Sequence, residues 1–233
     1  QVALYTIQPT SSGKVSVEFG PTTAYGLQTW EVPTPADGSA VKIYVAGMKA
    51  NTTYHMRAVV KYDNGKTGMD NDQTFTTGSL PSNILESTAV STGAASAGSG
   101  LTPQGGVELL DATLSDLPNY LEALATDLQG NVIWGYNYPD RDANSIVQPI
   151  KLLPNGDFGL VISYASQFIF DPSKQSKINT LREIDLAGNI VRDLPLSELN
   201  NRLKTAGYTF TLLDYHHDFA YLPNGHWIVI ANL

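Results

Sequence analysis

Two adjacent histidines, His216 and His217, carry the side chains of this sequence that are best suited to chemistry with an anion. They follow Asp214 and precede Asp218, and neighbouring carboxylates favour the protonated, positively charged form of an imidazole. A histidine can transfer a proton, act as a nucleophile or donate hydrogen bonds to an oxyanion. The same pair would also suit a structural role at the end of a strand. The residue types alone therefore leave a catalytic and a structural interpretation open.

The strand that carries the histidines is defined by a turn motif that occurs twice. Tyr221–Gly225, just after the histidines, repeats the Leu-Pro-Asn-Gly motif of Leu152–Gly156. An Asp-x-x-Gly-Asn motif likewise occurs at Asp127–Asn131 and again at Asp185–Asn189. Glycine supplies the positive φ that tight hairpin turns need, so each motif predicts a hairpin between two strands. The second half of the chain is therefore an internal repeat of β-hairpins.

These motifs predict two units of four strands each, which is the composition of a β-propeller blade. Each unit consists of a strand, the Asp-x-x-Gly-Asn turn, a second strand, a connection, a third strand, the Leu-Pro-Asn-Gly turn and a fourth strand. Two blades cannot close a ring, because closed propellers have at least four. Residues 107–233 are therefore predicted to form a partial propeller of about two blades. Apolar residues at helical spacing in Pro195–Lys204 predict a short helix on the second blade, with Ser197 as its N-cap.

Gln148 and His217 occupy the same position in the two units, because each lies six residues before the proline of its turn motif. If both units dock alike, the two residues begin the innermost strands and point into the central channel of the propeller. Side chains alternate along a strand, so His216 would lie on the opposite face together with Asp214 and Asp218. His217 is therefore the first candidate for contact with a bound anion, His216 the second, and Gln148 a candidate for substrate binding.

The first 79 residues consist of short runs rich in Val, Tyr, Thr and Phe, separated by turn signals, which is typical of a β-sandwich. Within Thr53–Tyr62 the even positions are apolar and the odd positions mostly polar, which predicts a strand with one buried face. Met48–Tyr54 and Gln73–Gly78 resemble the fibronectin type III/Ig-like pattern around its tyrosine corner, with Tyr54 as the tyrosine that ties a loop to the strand. Residues 80–106 are rich in Ser, Gly and Ala and are predicted to be a linker.

The segment Tyr215–Gly225, together with Glu183–Asn189 upstream, resembles the bacterial arylsulfate sulfotransferase (arylsulfotransferase) family, in which a His-Asp pair precedes Leu-Pro-Asn-Gly. The resemblance spans about residues 107–233. It implies a periplasmic or secreted six-bladed propeller that moves a sulfuryl group from a phenolic sulfate ester to another phenol through a transiently sulfated histidine. It also implies that no nucleotide sulfate donor is used, and we expect no cofactor.

The resemblance assigns a supporting rather than a central role to the candidates in this chain. In the family the sulfated histidine lies in a later blade, so His217 resembles an auxiliary position that contacts the sulfate. The chain then corresponds to the N-terminal part of such a protein, and we expect the 233 residues alone to be inactive. Four arginines match no family motif and are predicted to be solvated surface residues: Arg141, Arg182, Arg192 and Arg202.

The composition argues against several kinds of partner. A formal net charge of -8 and a pI near 4.8, without any stripe of Lys and Arg, argue against nucleic acid. Cysteine is absent, and no apolar run reaches the roughly 20 residues that span a bilayer. We expect no metal site at His216 and His217, because neighbouring strand residues diverge. The family resemblance and the composition predict a periplasmic or secreted protein, with Gln1 as a processed or truncated start.

Two functions of other classes remain open from the sequence. The chain could be an extracellular structural, assembly or adhesion protein, without catalysis, whose open β-edges pair with a neighbouring chain or a second copy. It could also be a carbohydrate or small-ligand module in which exposed aromatic rings form a stacking platform. The alternative for the rings is packing between blades. The residues concerned are Trp30, Trp134, Tyr136 and Tyr138.

Overall fold

The computed structural model describes residues 1–82, 105–111, 123–137, 145–164 and 179–233. These residues are almost entirely strands and turns, so the predicted all-β class is confirmed, with one short helix in addition. No helix within these ranges is long and apolar enough to cross a bilayer. Most of the linker predicted for residues 80–106 lies outside the described residues, as do Tyr138 and Arg141.

The described residues divide into two compact units. The first comprises Gln1–Pro81 together with Val132–Trp134, and the second comprises the remaining described residues. The domain boundaries inferred from composition stay predictions.

The N-terminal unit contains two antiparallel sheets that contribute to one hydrophobic core. The smaller sheet pairs β1 (Ala3–Ile7) with β5 (Val41–Val45). The larger sheet is built on β2 (Gly13–Gly20) and β6 (Thr53–Tyr62), which pair from Gly13 opposite Tyr62 to Gly20 opposite His55. Its shorter strands are β3 (Leu27–Gln28) and β4 (Val32–Pro33), which pair with β2, and β7 (Thr67–Met69) and β8 (Gln73–Thr76), which pair with β6.

The alternating pattern predicted for β6 is confirmed. Tyr54, Met56 and Ala58 are buried in the core, whereas the residues between them are partly exposed. The Tyr54 hydroxyl accepts a hydrogen bond from the backbone N–H of Lys49 at 2.9 Å. This bond ties the preceding loop to the start of β6, as the tyrosine-corner pattern predicts.

The strands after residue 105 form three antiparallel sheets. The first has the order β11-β10-β9, from β9 (Val107–Asp111), β10 (Ala123–Asp127) and β11 (Val132–Tyr136). The second runs in chain order through β12 (Ser145–Leu152), β13 (Phe158–Tyr164), β14 (Thr180–Ile184) and β15 (Ile190–Pro195). The third pairs β16 (Asp214–Tyr221) with β17 (Trp227–Asn232). One hydrophobic cluster connects the second and third sheets with the helix: Leu153, Val161, Leu181, Leu196, Tyr215 and Phe219.

Both repeated turn motifs form the predicted hairpins. After β12, the Gly156 N–H donates to the Leu153 carbonyl at 3.0 Å, and Gly156 adopts a φ of 90°. The turn after β16 has the same bond, from Gly225 to Leu222 at 2.9 Å, with a φ of 80° at Gly225. A type I turn followed by a residue in the left-handed region is a common three-residue hairpin, and glycine is the residue that adopts this region without strain.

The grouping of strands into units differs from the prediction. The sequence placed each Asp-x-x-Gly-Asn hairpin before the Leu-Pro-Asn-Gly hairpin of the same unit. In the four-stranded sheet the Leu-Pro-Asn-Gly turn joins the first two strands, β12 and β13, and the Asp185–Asn189 turn joins the last two, β14 and β15. The repeat was recognised correctly, but its boundary was wrong by two strands, because a periodic motif does not indicate where a sheet begins.

The predicted helix is present as α1 (Leu196–Thr205), which follows β15 directly. Leu196 is buried, and Leu199 packs against the same hydrophobic cluster. The predicted cap was wrong: the N-cap position is Pro195, no side chain caps the helix there, and Ser197 lies inside its first turn. The N–H of Leu196, the first helical residue, donates instead to the Asn179 carbonyl at 2.8 Å, which satisfies one of the N–H groups that a polar cap would otherwise accept from.

Candidate functional site

The two histidines lie in a bulge that interrupts β16. Tyr215 pairs with Ala231 and Phe219 with Val229, so three residues of β16 face a single residue of β17. Within the bulge, His217 adopts a φ of 50°, in the left-handed region. This conformation costs a residue with a β-carbon about 1–2 kcal/mol. Strained backbone of this kind is concentrated at functional sites, where the surrounding structure holds it in place.

The bulge brings the two imidazole rings together. The ring centroids of His216 and His217 are 3.6 Å apart, with the ring planes at 78°. His217 is exposed and His216 is partly buried. The expectation that the two side chains point to opposite faces was wrong, because the left-handed residue breaks the alternation of the strand. The site therefore presents two adjacent imidazoles, and neither makes a hydrogen bond to any residue that the structure describes.

The carboxylates next to the histidines have other roles than the predicted pairing with His216. Asp218 accepts a hydrogen bond from the Lys151 ammonium and a second, at 2.7 Å, from the backbone N–H of Phe219. The Lys151 ammonium beside Asp218, followed by the Phe219 N–H, lowers the pKa of that carboxyl from its ordinary value. Asp214 is buried, and its Oδ1 atom has no hydrogen-bond partner among the described residues.

Hydrogen bonds to the helix and to β15 hold the segment that leads into the bulge. The Asn200 side chain, on α1, donates to the Leu212 carbonyl at 2.9 Å and accepts from the Leu212 N–H at 2.8 Å. Tyr215 is buried, and its hydroxyl donates to the Leu194 carbonyl at 3.0 Å. Burial also raises the pKa of Tyr215, so its hydroxyl stays protonated as a donor. The helix and β15 therefore hold the chain immediately before His216.

Gln148 lies at the corresponding irregular position of the preceding sheet. The register of β12 against β13 shifts between Val147 and Ile150, so Gln148 and Pro149 form a smaller bulge there. Gln148 and His217 thus both lie in an interruption of the first strand of their sheets, in agreement with the alignment of the two motifs. Their convergence on one channel stays a prediction.

The arginines divide into two groups. Arg192 and Arg202 have half or more of their side chains exposed, as predicted. Arg182 was predicted to be solvated as well, but only 3% of its side chain is exposed. Its guanidinium forms two hydrogen bonds of 3.1 Å to the Asp193 carboxylate, which also accepts from the Thr180 hydroxyl. Arg182 is therefore a structural residue of the β14–β15 hairpin, since its partner lies directly opposite it in the register.

The stacking platform of aromatic rings has no support at its two described candidate positions, one tryptophan and one tyrosine, in the second half of the chain. Trp134 and Tyr136 are buried, which fits packing and not a stacking platform, whereas Trp30 is 63% exposed in the N-terminal unit. Within the described ranges, no group of three or more His, Asp or Glu side chains is arranged to hold a metal ion.

Lys151 is the part of the site that sequence reasoning missed, because it reaches the bulge from another strand, 67 residues earlier in the chain.

The fold and the site together define a repetitive all-β protein with a pair of imidazoles in a strained bulge beside an ammonium–carboxylate ion pair. Donors of this kind suit the oxygens of an anion. A family model described as arylsulfotransferase (ASST) matches residues 105–232, which is more than half of the chain and includes the whole site. The chain therefore belongs to the arylsulfotransferase family. No curated protein matches it.

Proposed function

We propose that this chain is the N-terminal part of an arylsulfate sulfotransferase-like protein and that His217 contacts the oxygens of the sulfuryl group. The observation that supports this role is the exposed His217, adjacent to the partly buried His216 in a strained bulge, inside the region that matches the family. The donor is a phenolic sulfate ester, and the acceptor is a second phenol.

The chemistry requires little from this site beyond binding and orientation. During transfer a neutral histidine nitrogen forms a bond to sulfur while the bond between sulfur and the donor phenolic oxygen breaks, and the donor leaves as a phenolate that takes a proton from solvent. The acceptor phenol then loses its proton to solvent, its oxygen forms a bond to sulfur, and the bond between sulfur and the histidine nitrogen breaks, which restores the neutral histidine. Hydrogen-bond donors around the three equatorial oxygens stabilise such transition states, as in phosphoryl transfer. In our proposal the sulfated histidine belongs to a part of the protein beyond this chain, and His217 supplies one of these donors.

A partial propeller is supported by the equivalence of the second and third sheets. Gly159 and Val161 of β13 lie on the face that packs against β16 and β17, and a β-carbon at Gly159 would meet Phe219 and Trp227. The same positions of β17, 69 residues later, are Ile228 and Ile230, which are 57% and 52% exposed. We therefore propose that a further sheet of the polypeptide covers them. For the N-terminal unit, the Tyr54 hydrogen bond and the two sheets on one core support a fibronectin-III-like sandwich.

We also propose a periplasmic or secreted location, on the basis of the family to which the chain belongs. The rival function is a non-catalytic extracellular structural, assembly or adhesion protein that would pair its open β-edges with neighbouring chains. It predicts no sulfuryl transfer by any form of the protein.

The transfer of sulfate from p-nitrophenyl sulfate to phenol by the intact native protein tests the proposal. We expect p-nitrophenol release that depends on phenol and that is about 100-fold slower after His217→Ala, since loss of one oxyanion donor costs about 100- to 1000-fold in rate. His226→Ala is the control, because His226 is an exposed residue of the next turn. Intact mass spectrometry of the same sample determines the natural length. No transfer by the native protein, or equal rates for both variants, would contradict the proposal.

A further inference from the structure

Lys151, on β12, reaches the C-terminal end of the histidine bulge of β16 with its ammonium group. We propose that Lys151 and Asp218 form a clamp that holds His217 in its left-handed conformation, so that Lys151 is a positioning residue of the anion site. The inference rests on the proposed function, because it assigns a role within the site where His217 would contact sulfate.

The contacts of the clamp enclose the C-terminal half of the bulge. The Lys151 ammonium donates to Asp218 Oδ1 and, at 2.8 Å, to the Phe219 carbonyl. The same Asp218 oxygen accepts from the Phe219 N–H at 2.7 Å. Hydrogen bonds therefore hold the side chain of Asp218 and both the N–H and the carbonyl of Phe219, the two residues that follow His217. His217 can leave its strained φ of 50° only if this segment moves.

The clamp is not a general feature of the repeat. Lys151 lies on β12, and 69 residues later the corresponding residue of β16 is Ala220. The residue that corresponds to Asp218 in the first repeat is Pro149. The ion pair thus occurs only where the second sheet meets the strand with the histidines, and not at the bulge that contains Gln148.

At the bulge that contains Gln148, the N–H of Ile150, which corresponds to Phe219, donates to the Asp111 carboxylate of the preceding sheet at 3.3 Å. A carboxylate on this N–H is therefore common to both bulges, and the ion pair with Lys151 is the part that distinguishes the histidine bulge.

A competing explanation is that Lys151 only adds positive charge near the bound anion. The two explanations predict opposite effects of the Asp218→Asn substitution on the affinity for an anion. If only charge matters, Asp218→Asn removes a negative charge and strengthens the binding of an anion. If the clamp matters, Asp218→Asn weakens binding, because the neutral amide loses the ion pair with Lys151 although it still accepts from the Phe219 N–H.

The experiment is a titration of the 233-residue chain, labelled with ¹⁵N and ¹³C, with inorganic sulfate, observed by NMR at the imidazole and backbone signals of His217. We expect saturable shifts at His217 and about fivefold weaker binding in both Lys151→Met and Asp218→Asn, as expected for a lost ion pair that also releases strain. Lys61→Met is the matched control, because Lys61 forms a comparable exposed ion pair with Glu31 in the other unit. Tighter binding by Asp218→Asn, or unchanged binding by both variants, overturns the clamp.

A second measurement separates this inference from the proposed function. The backbone Cα shift and the HN–Hα coupling of His217, recorded without sulfate, report its φ directly. If the wild-type chain binds no sulfate, the role of His217 in anion binding fails, but both clamp variants should still move these two signals away from their left-handed values. Unchanged signals in both variants overturn the clamp irrespective of sulfate binding.

Discussion

At the scale of the residue, the site is defined by one unfavourable backbone conformation. His217 is one of three residues in the described ranges, apart from glycine, with a positive φ, and Tyr25 and Asn51 are the other two. Asparagine tolerates this region better than histidine does, because its short polar side chain can bond to nearby backbone. A histidine here is a poor choice for stability alone. In our proposal, the contact of the imidazole with the anion is what compensates for this strain.

The substitution His217→Gly separates stability from function. Glycine adopts a φ of 50° without strain, so we expect the free energy of unfolding to rise by about 0.5–1 kcal/mol after the larger entropy loss of glycine is subtracted. Sulfate binding at the site should be lost. His216→Gly, at a residue without positive φ, is the matched control and should lower the free energy of unfolding by about 1 kcal/mol. Urea denaturation measures both, and a destabilised His217→Gly variant would argue against strain at this position.

The sequence was sufficient to identify the histidines and the two turn motifs, since both are local features. Side-chain direction at His216 was not predictable, because it depends on a bulge whose register is set by β17. Lys151 was not predictable either, as its contact with Asp218 requires the packing of two separate sheets. Arg182 shows the same limit: its burial follows from its position opposite Asp193 in a hairpin, which no local motif indicates.

At the scale of the element, the position of β16 depends on how closely β13 approaches it. Gly159 makes this approach possible, because a β-carbon there would lie 2.8 Å from the Trp227 ring and 2.9 Å from the Phe219 ring. Phe219 and Trp227 also pack on each other, with centroids 4.9 Å apart. Phe219 is the residue at the C-terminal end of the bulge, so the contact with Gly159 connects the packing of the sheets to the geometry of the site.

We expect Gly159→Ala to destabilise the second unit by about 1–3 kcal/mol, because the added methyl group overpacks a contact between two sheets. It should also broaden or shift the NMR signals of His217, since Phe219 has to move. Gly106→Ala is the control: a β-carbon there meets no atom within 4 Å, and the substitution should be neutral or slightly stabilising. Thermal unfolding monitored by circular dichroism compares the two variants. Equal melting temperatures would show that the rings move aside at little cost.

At the scale of the whole molecule, the repeat predicts that a further sheet covers the exposed face of β17. The described residues contain one four-stranded sheet after residue 105, so the predicted repetition of a four-stranded unit stays a prediction, whereas both repeated turn motifs are present. The argument for a further sheet therefore rests on the equivalence of β13 and β17 in the repeat. Val161 is fully buried by the third sheet, whereas its equivalent, Ile230, is 52% exposed. Two β-branched side chains on one face of a strand are typical of a buried sheet and not of a solvated one.

The exposed face of β17 should therefore make the 233-residue chain self-associate through Ile228 and Ile230. Sedimentation velocity over a range of concentrations should show reversible oligomers in the wild-type chain, because an uncovered apolar sheet face gains free energy when it is buried. The double substitution Ile228→Lys and Ile230→Lys should shift the chain to monomers without loss of β-structure, since both side chains point away from the core. Leu4→Lys, at a similarly exposed position of β1, is the control and should leave association unchanged. A monomeric wild-type chain, or equal association of all three proteins, would contradict the proposal that this face is a contact for a further sheet.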